Sequence, residues 1–275
     1  MCQLLKVTRS GYYHYKKHKD DKLESILELR ILIRELFTKS RNTYGIRRIK
    51  KALEKRHNTI VNRNKVARIM RQEGLIPKTV KKYKATTNSK HKLPIHPNLI
   101  KDLKIDGINQ VWVSDITYIK TEEGWLYLAA VMDLYTKEIV GYAMSERINK
   151  ELVKVALQMA KWKHHPGDGV ILHSDRGVQY ASRAYQELLS KYKMVCSMSA
   201  KGNPYENAAA ESFNATIKKD LIYPHGTYQT RVEARSEIFE YIEVFYNKER
   251  LHSSIDYETP YEFRLEQLKL NQVVI

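Results

Sequence analysis

A chain of 275 residues has room for two domains, or for one sizeable domain and a smaller one. Its hydrophobic content of 43% is typical of a globular protein, and its longest apolar stretch, 126–132, is too short to cross a bilayer, so we expect neither a membrane segment nor a secretory signal. The only cysteines are Cys2 and Cys196, which excludes a disulfide scaffold and a cysteine-rich zinc site and favours free thiols in the cytoplasm.

The positive charge is distributed unevenly along the chain. Residues 1–110 hold 28 Lys and Arg against 9 Asp and Glu, a net of +19, whereas residues 111–275 hold 20 against 22, a net of −2. This segregation favours a nucleic-acid-binding region joined to a nearly neutral domain with a different task. A solubilising charged surface is the alternative, but solubility does not require the two signs to be segregated.

The basic region, 1–75, is predicted to be a small all-α domain. A first amphipathic helix spans 21–38, with an apolar stripe of Leu23, Ile26, Leu27, Ile33 and Leu36. Two more, at 44–57 and 61–75, each combine one apolar face with a basic outer face. Asn62 is the expected N-cap of the third helix and Gly74 ends it. A short connection separates the second and third helices, so the pair is a candidate helix-turn-helix. The cations expected to contact DNA are Arg47, Arg48, Arg63, Lys65 and Arg68.

A basic linker is predicted at 76–100, where prolines and lysines occur without any periodicity. A core domain at 101–265 and a C-terminal tail at 266–275 follow. The predicted strands of the core are 110–120, 125–135, 138–146, 169–175 and 194–200, and its predicted helices are 150–163, 182–192, 207–221 and 231–250. Three meandering strands followed by two helical crossovers predict an α/β fold, a mixed five-stranded sheet with helices on its faces.

Three acidic residues are expected to meet at one edge of this sheet. Asp115 lies within the first predicted strand, Asp175 at the end of the fourth, and Glu211 on the helix after the fifth. Close carboxylates repel one another, so such a set favours divalent cations, and Mg²⁺ prefers a few carboxylates together with phosphate oxygens. A single acid at a strand end is more often a turn or capping residue. The set of three favours phosphodiester chemistry assisted by two metal ions.

Four motifs then identify a family resemblance. The stretches WVSDITY, HSDRGVQY, ENAAAESF and YNKERLHSS resemble the successive motifs of OrfB-type transposases of the insertion-sequence-three family, in the superfamily of DDE transposases and retroviral integrases. Nearer the start, SGYY, YGIRRI and NKVARIM resemble the helix-turn-helix region of that family. The resemblance implies a ribonuclease-H-like core. It also implies a transposase that cleaves DNA strands and transfers them during transposition of an insertion sequence.

The resemblance also carries functional residues onto this chain. It makes Asp115, Asp175 and Glu211 the catalytic triad that binds two Mg²⁺ ions, with Mn²⁺ as an alternative. It gives Lys218, seven residues after Glu211, a contact with DNA near the scissile phosphate, although a solvated helix lysine is the alternative. The residues expected to support the triad or to contact DNA are His173, Gln179, Tyr180 and Asn207.

One position departs from the family pattern. The family usually has Asp-Asn before the alanine run, where this chain has Glu206 and Asn207. Five residues correspond to about 140° around a helix, so Glu206 and Glu211 cannot share a helical face. We expect Glu211 to be the ligand and Glu206 to lie near the helix N-terminus. Asp133, at the end of the second strand, is predicted to form a turn.

The implied partners are double-stranded DNA at the ends of the element and target DNA. We expect a homo-oligomer on DNA, associated with the nucleoid in a prokaryotic cytoplasm. Because the sequence starts near LLKVTRSGYY without leucine heptads, an upstream OrfA protein, or a frameshift fusion with it, is expected to share end recognition. Two other classes stay open. A ribonuclease H or junction resolvase would share the acids, and a non-catalytic DNA-binding regulator would not need them.

Overall fold

The computed structural model describes residues 2, 7–78, 96–199 and 208–273. The chain divides into two compact units, residues 1–78 and 79–275. Most of the predicted linker, together with Glu206 and Asn207, lies outside the described residues. No helix in the described ranges is long and apolar enough to span a membrane.

The first unit contains the three predicted helices, α1 (Arg9–Lys39), α2 (Ile46–His57) and α3 (Arg63–Gln72). Asn62 caps α3 as predicted, because its side-chain oxygen accepts a hydrogen bond from the Asn64 amide at 2.8 Å. Helix α1 begins at Arg9 rather than at 21, since Thr8 caps it through the Gly11 amide at 3.1 Å. The residues between Arg9 and 21 are mostly polar and show no apolar periodicity, so periodicity alone did not reveal that the helix includes them.

The core of this unit is formed by one face of each helix. Its buried side chains are Leu29, Ile33, Leu36, Phe37, Ile49, Leu53, Val66, Ile69 and Met70. Leu23 and Leu27, which belong to the predicted apolar stripe of α1, are instead exposed, because the buried part of α1 begins only at Leu29.

The second unit is built on the predicted mixed sheet. Its strands are β1 (Val111–Thr121), β2 (Gly124–Asp133), β3 (Ile139–Ser145), β4 (Ile171–Ser174) and β5 (Val195–Met198). The order is β3-β2-β1-β4-β5, with antiparallel pairing among the first three strands and parallel pairing of β1 with β4 and of β4 with β5. Strand β4 is short and pairs with β1 only over Val111–Ser114. The predicted α/β architecture is therefore confirmed.

Helices cover both faces of the sheet. They are α4 (Lys150–His164), α5 (Val178–Ala181), α6 (Arg183–Lys191), α7 (Ala208–Ile217), α8 (Tyr223–His225), α9 (Arg231–Glu240) and α10 (Pro260–Val273). Helix α7 continues into a π-helical turn at Lys218–Ile222, α9 continues into another at Tyr241–Tyr246, and a 3₁₀ turn lies at Ser253–Ile255. Helices α5 and α10 and the two π turns were not predicted from the sequence.

Alternate residues of β1 belong to opposite layers. Trp112 packs in the layer that contains α4 and α6, whereas Val113 packs in the layer that contains α7 and α9. Because successive side chains on a strand point to opposite faces, Asp115 faces the α7 layer. On β3, Gly141 allows α4 to approach closely, since a Cβ atom there would lie 2.4 Å from the carbonyl oxygen of Ala156.

Candidate active site

Two acids of the predicted triad lie side by side where the paired part of β1 and β4 ends. Ser114 pairs with Ser174, and Asp115 and Asp175 are the next residues of the two strands. Neighbouring strands are about 4.8 Å apart. The parallel register thus brings the two carboxyl groups together at the end of β4.

Asp115 is a partly buried carboxyl group with two hydrogen-bond donors. Its Oδ1 accepts from the Ile116 amide at 2.8 Å, and its Oδ2 accepts from Nδ2 of Asn214 at 2.9 Å. The pKa of Asp115 is raised to about 7, mainly by burial and then by the charge of Asp175, with a smaller contribution from Glu211, and the two hydrogen bonds oppose the shift. The ionised form of Asp115 is therefore destabilised, which a bound cation would relieve.

Glu211 lies in the first turn of α7 and is exposed. Its charge acts on Asp115, though less strongly than that of Asp175. Within the described ranges, no three His, Cys, Asp or Glu side chains converge closely enough to hold a metal ion. The three predicted ligands thus interact electrostatically, but they do not form a preassembled three-ligand site.

The oxygen atoms at this position nonetheless fit a hard divalent cation. Asp115 and Asp175 provide neighbouring carboxylates, and Oδ1 of Asn214 is a buried carbonyl oxygen to which no group in the described part of the chain donates. Carboxylate and amide oxygens are the ligands that Mg²⁺ and Ca²⁺ use. Asp115, Asp175 and Oδ1 of Asn214 could therefore contribute ligands to such an ion, and Glu211 stays a predicted third carboxylate.

Asn214 is a site residue that the sequence analysis missed. It is buried, it donates to Asp115, and it lies three residues after Glu211, on the same face of α7. That spacing was the available signal, since a polar residue one turn after a predicted ligand faces the same site.

The loop after β4 holds Asp175 in place. The Gly177 amide donates to Oδ1 of Asp175 at 2.9 Å, and Nε of Arg176 donates to the Ser199 carbonyl at 2.8 Å. A Cβ atom at Gly177 would lie 2.9 Å from both Oδ1 of Asp175 and Oε1 of Gln179. Glycine therefore leaves room for the carboxyl group to turn back onto its own backbone.

His173 is fully buried on β4. Its Nδ1 is 2.9 Å from Oγ of Ser197 on β5, and the same hydroxyl oxygen accepts from the Leu99 amide at 2.9 Å. This chain of contacts ties the strand that precedes Asp175 to its neighbour. Because His173 is shielded from solvent, it is not accessible to DNA, and support of the strand is the role that its contacts favour.

Tyr180 is also buried, with its hydroxyl 3.0 Å from Oγ of Ser114. Burial raises its pKa well above the usual value, and the charges of Asp115 and Asp175 contribute to the shift. Tyr180 thus lies beneath the two strand ends that carry the acids. Gln179, beside it on α5, is partly exposed.

Lys218 contacts an aromatic ring and interacts with the charge of Asp115. Its Nζ is 4.5 Å from the ring centroid of Tyr118, and it opens the π turn that continues α7. Burial lowers the pKa of Lys218, whereas the charge of Asp115 raises it. Lys218 is therefore a partly buried cation that interacts with the site, rather than a lysine surrounded by solvent.

The predicted DNA-binding cations of the first unit differ in exposure. Arg47, Arg63 and Arg68 are exposed on α2 and α3, whereas Lys65 and Arg48 are partly buried. The Arg48 guanidinium lies 5.8 Å from the ring centroid of Tyr44. The exposed arginines are free to reach phosphate groups.

Asp133 forms a turn, as predicted. Its Oδ1 accepts from the amides of Tyr135 and Thr136 at 2.9 and 2.8 Å, and its Oδ2 accepts from the Asn109 amide at 2.7 Å. Both carboxylate oxygens of Asp133 thus accept hydrogen bonds from backbone amides of the turn, which favours the turn role over that of a ligand.

The fourth motif, YNKERLHSS, makes structural contacts. Asn247 accepts from the Ile139 amide at 2.9 Å and donates to its carbonyl at 3.1 Å, which ties the motif to β3. Nε of Arg250 lies 2.8 Å from Oδ2 of Asp220, in a buried ion pair that Tyr241 joins at 3.2 Å. The motif therefore anchors the π turn that follows α7.

Family models match both the helical region and the sheet region of the chain. Integrase core domain models match residues 106–204 and 192–260, and an HTH-like domain model matches 24–83. The transposase InsF for insertion sequence IS3A of Escherichia coli (strain K12) is 37% identical over 98% of this chain and 94% of its own length. This chain belongs to the IS3 family of transposases. An uncharacterized 31 kDa protein of insertion element IS600 from Shigella sonnei is 44% identical to this transposase over 96% of the chain and 97% of its own length.

Family membership and topology together confirm the predicted ribonuclease-H-like core of this transposase and its class as a DDE-type polynucleotidyl transferase. Enzymes of this class use a divalent metal. Among solved structures, the HTLV-2 integrase catalytic core domain in complex with magnesium is 16% identical, with a TM-score of 0.43 over 56% of this chain and 95% of that one.

Proposed function

We propose that this transposase cleaves DNA at the ends of its own insertion sequence and transfers the freed strands, with Asp115, Asp175 and Glu211 as the carboxylates that hold two Mg²⁺ ions. One observation supports the assignment above all. Asp115 is a partly buried carboxyl group whose pKa is raised to about 7, mainly by burial and also by two other carboxylates, in the core that defines the family. A site of this kind favours cation binding next to a phosphodiester.

The chain contributes orientation and charge to the reaction. When bound, the ions supply activation of the attacking oxygen and stabilisation of the leaving oxygen. Asn214 and the Gly177 amide hold the carboxylates of Asp115 and Asp175 in place through their hydrogen bonds. Lys218, held at the same site, attracts the phosphate backbone.

Two phosphoryl transfers follow at this one site. In the first, a water oxygen attacks the phosphorus atom and the 3′ oxygen leaves as a free hydroxyl group. In the second, that hydroxyl attacks another phosphodiester and displaces its 3′ oxygen, so one bond forms as one breaks and no covalent bond to the protein is needed.

The partners proposed for this chain follow from its charge and its family. The exposed arginines of α2 and α3 would grip double-stranded DNA at the element's ends and at the target. A homo-oligomer on DNA would bring the two ends together, and an OrfA protein, separate or fused, would share end recognition. We place this assembly on the nucleoid of a prokaryotic cytoplasm.

The test compares two matched substitutions in a strand-transfer assay with Mg²⁺ and DNA that carries the terminal inverted repeats. Asp175→Asn removes a proposed ligand and is expected to lower cleavage by about a thousandfold or more while DNA binding persists. Asp168→Asn removes an exposed carboxylate that pairs with Lys193 at 2.7 Å, and it should leave both unchanged.

Two outcomes would contradict the proposal. Cleavage without joining by the unaltered chain would indicate a nuclease of the same fold. An Asp175→Asn chain with every phenotype intact would indicate a DNA-binding regulator.

A further inference from the structure

An exposed aromatic pair lies on the hairpin of β1 and β2. The rings of Tyr118 and Trp125 meet edge to face, with centroids 5.3 Å apart and an interplanar angle of 89°. The exposed fraction is 46% for Trp125 and 37% for Tyr118. Two large rings that support each other and still face solvent form a ready binding surface.

Strand register explains why the two rings share a face. Tyr118 pairs with Tyr127 and Lys120 pairs with Trp125, so Tyr118 and Trp125 occupy diagonal positions on the same side of the hairpin. Strand β4 pairs with β1 only as far as Ser114, so this part of β1 lies beyond the pairing with β4.

Lys218 links the aromatic pair to the catalytic acids. Its Nζ lies 4.5 Å from the centroid of the Tyr118 ring, and the charge of Asp115 acts on it. Tyr118 is three residues from Asp115 along β1, a distance of about 10 Å, and the two side chains point to opposite faces of the strand. Lys218, which follows α7, nevertheless contacts the Tyr118 ring in the part of β1 beyond Ser114, where β4 no longer pairs with it. Stacked nucleotides rise about 3.4 Å each, so a DNA strand that runs from Asp115 past this part of β1 would reach the pair within a few nucleotides.

The charges around the pair favour a polyanion over an apolar partner. Lys120 is exposed opposite Trp125, and Lys218 faces Tyr118. Of the acids near the pair, Glu123 accepts from the Arg231 amide at 2.8 Å and Glu146 lies 3.3 Å from the Arg231 guanidinium, whereas Glu122 in the hairpin turn is exposed. Aromatic rings flanked by cations are the usual platform for single-stranded nucleic acid.

We propose that Trp125 and Tyr118 form a stacking site for an unpaired nucleobase of the DNA strand beside the cleaved phosphodiester, with Lys218 bound to a phosphate of that strand. The inference rests on the proposed function, since it places the base relative to the reacting phosphate. Trp125, the more exposed ring, carries the base, and Tyr118 holds Trp125 and Lys218 in position.

The experiment measures binding by the full chain, with Ca²⁺ replacing Mg²⁺ to suppress cleavage. The probes are a fluorescein-labelled duplex with a five-nucleotide 3′ overhang and the same duplex with an abasic overhang. The unaltered chain should bind the overhang that carries bases about 5-fold to 150-fold more tightly, the range that base stacking on aromatic residues provides. Trp125→Ala should abolish that preference, and Trp125→Phe should retain most of it.

Trp162→Ala is the matched control, because Trp162 is a 78% exposed tryptophan on α4. It should keep the full preference. A second readout does not require removal of Trp125. A Trp162→Phe chain keeps two tryptophans, Trp112 and Trp125. Trp112 is fully buried, so its emission should not respond to bound DNA. Quenching of tryptophan emission by the overhang with bases, but not by the abasic overhang, therefore reports on Trp125.

The proposal is overturned if Trp125→Ala retains the preference, if the unaltered chain shows none, or if the overhang with bases quenches no emission. These results are independent of catalysis. A chain that prefers bases but does not cleave would contradict the proposed function alone, and a chain that cleaves without the preference would contradict only the stacking site.

Discussion

The two units place their proposed functional residues in opposite ways. In the helical unit, Arg47, Arg63 and Arg68 are exposed on the outer faces of α2 and α3. In the sheet unit, Asp115 is partly buried and bound by two donors. Binding to a phosphate backbone needs charge on a surface, whereas phosphoryl transfer needs carboxylates at fixed positions. Charge composition therefore predicts the proposed DNA-binding residues of the first unit, and strand register predicts the proposed acids of the second.

The comparison extends to ion pairs. The helical unit pairs Lys51 with Glu54 on α2 at 3.2 Å, and both side chains are more than a third exposed. The sheet unit buries Arg250 against Asp220. Exposed pairs contribute little to stability, whereas the loss of one partner of a buried pair leaves an uncompensated charge. The stability of the sheet unit should therefore depend far more on individual charged residues.

The largest expected effect is that of Arg250→Met. It leaves Asp220 buried without its cation, so the free energy of unfolding should fall by about 3–5 kcal/mol. Chemical denaturation measures it, with Arg183→Met as the control, because Arg183 pairs with Glu187 on the exposed face of α6. The control should change stability by less than about 0.5 kcal/mol. Both residues lie in the sheet unit, so equal losses in the two variants would refute the contrast between buried and exposed ion pairs.

Magnesium should stabilise the sheet unit through the acids. At a concentration 100 times its dissociation constant, Mg²⁺ should raise the free energy of unfolding by about 2.7 kcal/mol. Asp115→Ala should abolish this gain, and Arg63→Ala, in the helical unit, should keep it. Thermal melting with and without Mg²⁺ measures the effect. A gain that survives Asp115→Ala would place the ion elsewhere.

Asn214→Ala should lower cleavage by about 10-fold to 100-fold, the usual effect of removing a residue that orients a metal ligand. The hydrogen bond from Asn214 lowers the pKa of Asp115, so its loss should raise that pKa above about 7. Since Asp115 must be ionised, the acidic limb of the pH–rate profile should move to higher pH. The control is Ser212→Ala, an exposed position on α7. A lower rate without a shift of the profile would favour a purely structural role.

The smallest effects are expected in the helical unit. Each of Arg63→Ala and Arg68→Ala should weaken DNA binding modestly and reduce the slope of log K against log salt by about 1. The cleavage rate of bound DNA should stay the same. Binding titrations at several salt concentrations provide the slopes. If either variant altered sequence preference without altering the slope, its arginine would contact bases rather than phosphates.

Periodicity and register account for what could be predicted from the sequence. Alternation located β1, β2 and β3, and the parallel strand β4 placed Asp175 next to Asp115. Contacts between distant segments could not be read in the same way. Asn214 becomes a site residue only because α7 packs on β1, and Arg250 matters only because Asp220 lies 30 positions away in the sequence and beside it in space.

Local rules also failed where tertiary contacts override them. The helices predicted at 207–221 and 231–250 each contain a π-helical turn, and helical periodicity does not distinguish such a turn from ordinary α-helix. The exposure of Leu23 was missed because an apolar stripe shows which side of a helix is apolar. It does not show how far along that helix the other helices pack against it.

Gly141 has a consequence for how the sequence can change. An alanine at this position would place its methyl carbon 2.4 Å from the Ala156 oxygen, where ordinary contact starts at 3.4 Å, so α4 would have to retreat by about an ångström. All 15 residues of α4 would move with it, and so would the core around Trp112. The absence of a side chain at Gly141, on a strand at the edge of the sheet, thus sets the distance between the sheet and α4.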